Sequence, residues 1–310
     1  MLSIAGLSKS YKGKYALEKV SFELARGEIV ALLGANGSGK TTTVQSICKL
    51  IEFDEGTISL DGKSTSSSNA YLQKIGAVLG GSRNINWRLT AKQNADYFAR
   101  LRGFSGAEIT QNINALHSAL GLDEYNKKEV MKLSTGNKQK AALLCALSYT
   151  PDFVLLDEPT LGLDFQTVND LQTIIKRCAN EQNQGLLITS HDLTFIENIC
   201  TRVIVLHQGK LLFQGDIASL KSKLYKYRMS LQLTGSQQFP IARILPLWNG
   251  RFEINEHENK PQIDIHFESS EQSLPFIHYL HEHKILIDEL ILEPLSVDEA
   301  YQALVKSEGQ

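Results

Sequence analysis

Eight residues near the start of the chain, Gly34-Ala-Asn-Gly-Ser-Gly-Lys-Thr41, hold three glycines and one lysine. They fit the spacing G-x-x-x-x-G-K-[ST] at Gly34, Gly39, Lys40 and Thr41. That spacing suits phosphate. Glycines let successive backbone N–H groups, here those of Asn36, Gly37, Ser38 and Gly39, curl around an anion, and a helix N-terminus adds partial positive charge. Lys40 would reach the β- and γ-phosphates of a nucleotide, the hydroxyl of Thr41 could ligate Mg²⁺, and Thr42 would follow in the same first helical turn. About 120 residues further on, "FVLLDEP" puts Asp157 and Glu158 at the end of an apolar run. Asp157 could hold Mg²⁺ and Glu158 could polarise an attacking water, if both carboxylates stand beside the glycine-rich loop.

The elements that must bring them together are readable from periodicity. The run from Ile29 to Leu33 predicts a fully buried strand and "TTTVQSICKLI" a helix, so the glycines sit at a sharp strand-to-helix turn. "EGTISLDGK" reads as a strand closed by an Asp-Gly turn. From about Thr90 to Leu122, "TAKQNADYFARLRG" and "AEITQNINALHSALG" each end in a glycine suited to a helix C-terminus, which predicts a helical insertion. "DFVLLDEP", "GLLITS" and "RVIVLHQGKLLFQG" then alternate with the helical stretches "TVNDLQTIIKRCANEQ" and "LTFIENIC". Such alternation predicts a parallel sheet covered on both faces, with ligands at its strand ends.

Composition bounds the rest. At 310 residues the chain exceeds the usual single domain, and its pattern changes after "GDIASLKSKLYK", where acidic residues come to outnumber basic ones. A smaller domain from 225 to 310 is expected there, with "YRMSLQLT" and "ILIDELILEP" as strands, "RFEINEHENKPQIDIHFE" as a hairpin between them, and "LPFIHYLHEHK" and "SVDEAYQALVK" as helices. The three histidines of "HYLHEHK" read as a solvated face, since no Cys or acidic ligand is placed with them. A net charge of −2 offers no general attraction to nucleic acid, so no nucleic-acid partner is expected. The four cysteines are scattered without a C-x-x-C pair and read as reduced core thiols of a cytoplasmic protein. No apolar run approaches the roughly 20 residues needed to span a bilayer, so a membrane role would come through a partner.

Three further motifs, in order after the glycine-rich loop, give these residues a family. "LSTGNKQK" (Leu133 to Lys140), "EPTLGLD" (Glu158 to Asp164) and "LLITSHDL" (Leu186 to Leu193), together with the glycine-rich loop, resemble the ATP-binding subunit of an ABC transporter over roughly Met1 to Leu220. The resemblance implies an α/β fold: a P-loop NTPase parallel-sheet core with an N-terminal antiparallel β subdomain and a helical insertion at about 90–150, in a domain of residues 1–220. Residues 225–310 resemble, weakly, the small C-terminal α+β accessory domain of the drug- and antibiotic-exporter branch related to daunorubicin resistance.

What the family implies can be carried over residue by residue. Tyr11 would stack on adenine. Ser134 and Gly136, in the signature segment, would close over the γ-phosphate of ATP held by a second copy of the chain, making an ATP-dependent homodimer with two composite sites. His191 would contact the γ-phosphate and orient water and Glu158, and Asp164 would lie at the dimer seam. The cofactors implied are ATP and Mg²⁺, and the partner an integral-membrane permease encoded separately, with this chain held at the cytoplasmic face of the cell membrane. A non-transport ABC ATPase, a mechanical switch on a membrane or nucleic-acid complex, is the alternative.

Two departures from the family pattern stand out. Thr135 and Asn137 stand where Gly and Gln are commonest, while the serine and second glycine are kept. Gly80, after "KIGAVLG", stands where the family has a Gln or Glu. Either a Mg²⁺ or water contact is lost there and turnover is slow, or the backbone needs a glycine.

Overall fold

A computed structural model of the chain describes residues 1–66, 68–80, 85–190, 192–222, 227–233, 252–257, 260–267, 269–294, 297, 301 and 304–305. It divides into two compact units, Met1–Asp216 and Ile217–Gln310.

The first unit opens with two long strands, β1 (Leu2–Tyr11) and β2 (Lys14–Leu24). With β4 (Glu55–Leu60) and the short β5 (Lys63–Ser64) they form an antiparallel sheet in the order β2-β1-β4-β5. Asp61 and Gly62 both take positive φ between β4 and β5, the twist that a two-residue hairpin turn requires. The second sheet has the order β10-β9-β3-β8-β7-β6, with β3 (Ile29–Leu33), β6 (Ile75–Val78), β7 (Phe153–Asp157), β8 (Gly185–Thr189), β9 (Arg202–His207) and β10 (Lys210–Asp216). β3, β7 and β8 are buried at every residue, as strands covered on both faces must be. Pairing is parallel except at the edge, where β10 returns antiparallel to β9 through Gln208 and Gly209. A chain that reverses in two residues can only pair antiparallel. One apolar cluster joins the two sheets, running from Leu2, Ile4 and Phe22 to Val30, Leu32, Leu155 and Leu187.

Helix α1 (Lys40–Ile47) is shorter than the apolar pattern predicts. Cys48 caps it, Lys49 turns left-handed at φ 57°, and Leu50 N–H reaches back to the Gln45 carbonyl, so the last turn closes on itself. The helical insertion consists of α2 (Ala91–Leu101), α3 (Ala107–Ala119) and α4 (Thr135–Leu147). Thr90 and Gln93 form a reciprocal capping box at the start of α2. α5 (Phe165–Asn180) and α6 (Leu193–Ile199) complete the unit.

The second unit begins with α7 (Ile217–Ser222) and builds an antiparallel sheet in the order β12-β13-β11-β14. Its strands are β11 (Tyr227–Leu233), β12 (Phe252–His257), β13 (Lys260–Phe267) and β14 (Ile287–Pro294). α8 (Ser273–Glu282) packs Phe276 and Leu280 against Met229, Leu231, Ile263, Ile265 and Phe267. The helix expected at "SVDEAYQALVK" falls largely outside the described residues.

Candidate functional site

The glycine-rich loop links the end of β3 to the start of α1, and its shape is forced by crowding. At Gly39, φ is 108°, and a Cβ would stand 2.6 Å from the Ala16 carbonyl oxygen, inside contact distance. Only glycine fits. Asn36 and Gly37 are exposed at the crest of the loop, while Ser38 is buried and its N–H bonds the Ala35 carbonyl at 3.1 Å. β2 and the β9–β10 turn brace the loop from behind, through Gly209 N–H to the Ser38 carbonyl (3.1 Å) and Glu18 N–H to the Gly209 carbonyl (2.8 Å).

Lys40 is buried, and its ammonium donates to the carbonyls of Gly34 (2.6 Å) and Ala35 (3.2 Å). Burial pulls its pKa below the ordinary lysine value, while the carboxylates of Glu158 and Asp157 push the other way. The ammonium is therefore folded onto the loop in a setting that favours an added anion. Thr41 Oγ1 donates to Asp157 Oδ2 at 3.4 Å, which brings two hard oxygen ligands together across 116 positions of sequence. That donor set fits Mg²⁺. Thr42 lies one residue on and is partly buried in α1.

Asp157 ends β7 and is buried. Its Oδ1 accepts from Thr189 Oγ1 at 2.6 Å, and the same hydroxyl accepts from Glu158 N–H at 3.1 Å. The Thr189 carbonyl takes Glu158 N–H as well, at 3.1 Å. Glu158 is partly buried and holds φ at 52°, a left-handed backbone uncommon for a residue of its size. Thr189, fully buried at the end of β8, thus fixes the Asp157 carboxylate and the main chain of Glu158. Sequence reading missed it. Its signal was a threonine closing an otherwise aliphatic strand, "GLLIT". His191 lies outside the described residues.

The signature segment sits elsewhere in the same unit. Ser134 is exposed at the N-cap of α4 and accepts Asn137 N–H at 3.3 Å, which leaves its hydroxyl hydrogen free to donate. Gly136 faces the turn before α5: a Cβ there would meet Leu163 Cδ2 at 3.5 Å. Gln139 Nε2 reaches the Pro159 carbonyl at 3.4 Å. The start of α4 and the segment that follows Glu158 are therefore one packed body. Asp164 caps α5, accepting Thr167 N–H at 2.9 Å and Thr167 Oγ1 at 3.1 Å, and these bonds hold its carboxyl below the usual range. Tyr11 ends β1 half exposed, with Lys9 Nζ 5.5 Å above its ring centroid. An open aromatic face there can take a flat ligand.

Gly80 takes φ 46°, and among the described residues nothing stands within 4 Å of where its Cβ would be. The position is a left-handed bend.

Residues 17–161 match the ABC transporter family. The ABC transporter ATP-binding protein NatA of Bacillus subtilis (strain 168) is 36% identical over 225 residues, covering 71% of this chain and 91% of that protein. The chain belongs to the family of ABC transporter ATP-binding subunits. It is an ABC ATPase. The bacitracin transport ATP-binding protein BcrA of Bacillus licheniformis is 30% identical over 259 residues, covering 83% of this chain and 81% of that protein. That match is longer than the first unit, so it reaches into the second. Among solved structures, the dimeric post-hydrolysis state of the ATP-binding cassette MJ0796 bound to ADP and Pi superimposes with a TM-score of 0.65 at 26% identity, covering 70% of this chain and 98% of that one. No helix among the described residues is long and apolar enough to cross a membrane.

Proposed function

We propose that this ABC ATPase closes as a homodimer around two ATP molecules and drives a separately encoded integral-membrane permease that exports a drug, antibiotic, lipid or peptide. The observation that carries the reading is the meeting of Thr41 and Asp157 at the loop that buries Lys40. The named relatives support the transport side, one of them being a bacitracin transport protein.

Each residue has a defined task in that reading. The loop N–H groups from Asn36 to Gly39 and the α1 N-terminus, with Thr42, cradle the phosphates. Lys40 exchanges its carbonyl partners for phosphate oxygens, an exchange of neutral for charged partners that strengthens its bonds. Tyr11 stacks on the adenine. Thr41 and Asp157 hold Mg²⁺, which when bound neutralises phosphate charge and fixes the reacting geometry. Glu158, its main chain tied to Thr189, takes the proton of the attacking water as general base, and His191 orients that water. Ser134 and Gly136 of one copy close over the γ-phosphate held by the other, and Asp164 lies at the seam. Because one chain carries one loop half and one signature half, two copies related by a two-fold axis complete two sites. Residues 225–310 form an accessory domain that tunes this cycle.

Replacing Glu158 by Gln removes the base and keeps a polar side chain of the same size. The variant should bind ATP, hydrolyse it at a rate lowered by roughly a hundredfold or more, and accumulate as an ATP-bound dimer in light scattering. Hydrolysis at the parental rate would remove Glu158 from the role.

A further inference from the structure

The end of β1 comes to the phosphate loop through a bulge. Lys9 pairs with Leu17 and Ser10 with Tyr15, so Ala16 is an extra residue on β2, and its carbonyl oxygen is the one that crowds Gly39. Bulges re-aim neighbouring side chains and gather beside active sites. Here the strand end carries Lys9 and Tyr11, two residues apart and therefore on one face. The Lys9 ammonium stands 5.5 Å from the Tyr11 ring centroid, within cation–π range. It is not loose: Asp54 Oδ1 accepts from it at 2.9 Å, and Asp54 Oδ2 is itself fixed by the N–H and hydroxyl of Ser10, at 2.7 and 2.8 Å. The Lys9 side chain is only 17% exposed, whereas Tyr11 is 49% exposed. A clamped cation thus takes one face of a ring that stays open to solvent.

We propose that Lys9, held by Asp54, is a specificity-determining residue of the nucleotide site: its charge behind the Tyr11 ring makes that ring a stronger platform for an electron-rich base. The proposal rests on the reading above that Tyr11 stacks on adenine. With the cation on one face, the base stacks on the other. The bare face of a tyrosine is electron-rich, and so is the face of an aminopurine, so the two repel in direct overlap. A positive charge behind the ring draws that density away from the base and attracts the base itself. The gain follows the electron richness of the base: largest for adenine, smaller for hypoxanthine, which carries an oxo group in place of the amine on the same bicycle, and smallest for uracil. At an exposed site a cation–π pair changes affinity by a factor of about two to five.

Calorimetric titration of the full chain with ATP, ITP and UTP, with Mg²⁺ withheld so that nothing turns over, compares the three bases on one triphosphate. Lys9→Met keeps the stem and removes the charge; it should weaken ATP by about two- to fivefold, ITP by less and UTP least. Lys9→Arg keeps a cation and should keep the parental order. Asp54→Asn loosens the clamp and should give part of the same graded loss; should Lys9→Met not fold, that graded loss is the test. With Mg²⁺ restored, Lys9→Met should raise KM for ATP by the factor seen in binding and retain kcat, because the base sits no closer in the transition state than in the ground state. In a Tyr11→Ala background Lys9→Met should cost nothing further, since the ring transmits the effect. An equal loss for all three nucleotides, as a charge acting on the triphosphate or a merely structural lysine would give, or no loss at all, would overturn the proposal and leave Tyr11 as the platform. Unchanged ATP affinity in Tyr11→Ala would remove the platform, and the proposal with it.

Discussion

Thr189→Val tests whether the Asp157 carboxylate and the Glu158 main chain are held by one hydroxyl. Valine keeps the branched shape and deletes Oγ1, so packing at this fully buried position is preserved and only polar contacts are lost. Two bonds go: the 2.6 Å donation to Asp157 Oδ1 and the 3.1 Å acceptance from Glu158 N–H. The second is backed by the Thr189 carbonyl, which survives the substitution. The first is the charge-assisted one, and a buried carboxylate stripped of such a bond loses about 1.5–3 kcal/mol. If Asp157 shifts in response, the loss falls on the reaction and kcat drops roughly tenfold to a hundredfold, with more Mg²⁺ needed for half-maximal rate. If it does not shift, the loss falls on the fold, and Tm drops by about 2–4 °C for each kcal/mol. Phosphate release measured across a Mg²⁺ series, with a thermal melt of the same preparation, reads both. Thr189→Ser keeps the hydroxyl and should stay near the parent. A valine variant with parental kcat, Mg²⁺ dependence and Tm would refute the assignment of Thr189 as the common support.

Lys40→Ala should abolish hydrolysis and weaken nucleotide binding by roughly a hundredfold or more, because the phosphates lose their buried cation; fluorescent-nucleotide titration checks it. Asp54 accepts from Lys9 and from the Ser10 side chain and N–H, and these hold its carboxyl at about 2. Its folded pKa thus lies below the unfolded value of roughly 4, so its contribution is full above pH 4 and lost as pH falls through 2. Acid-unfolding curves of Asp54→Asn and the parent should differ at pH 5 and converge near pH 2. Gly80→Ala and Gly80→Gln should lower turnover by similar, modest factors, since a left-handed φ costs a residue with a Cβ about 1–2 kcal/mol whatever its side chain. A Gln variant faster than both the Ala variant and the parent would show instead that a polar contact is missing.

What could be read from the sequence was what adjacent residues decide together. The phosphate loop is a local object: strand, glycines, lysine and helix start lie within a few positions, and each constrains the next. Buried strands announced themselves because covering on both faces leaves no polar alternation to confuse with a helix. The same local logic misread one place and left another open. α1 ends early because Lys49 adopts the left-handed turn that glycine usually supplies, and a lysine carries no such signal. At Gly80 a lost side chain and a backbone need for glycine read alike in sequence, and the positive φ there is a backbone property that only coordinates reveal.

Thr189 was invisible for a different reason, and Arg102 shares it. Neither is marked by its neighbours in sequence: a threonine at a strand end and an arginine at a helix end are both ordinary. Each acquires meaning from what the fold sets opposite it, β7 beside β8 for Thr189 and an apolar cavity for Arg102. The contrast between the two is in their partners. Thr189 meets two groups that complete it, so its hydroxyl is spent within the chain and its effect on chemistry is to hold others still. Arg102 meets the Leu72 carbonyl and an apolar wall. A desolvated group that is fully paired inside a protein reports on the stability and geometry of its site.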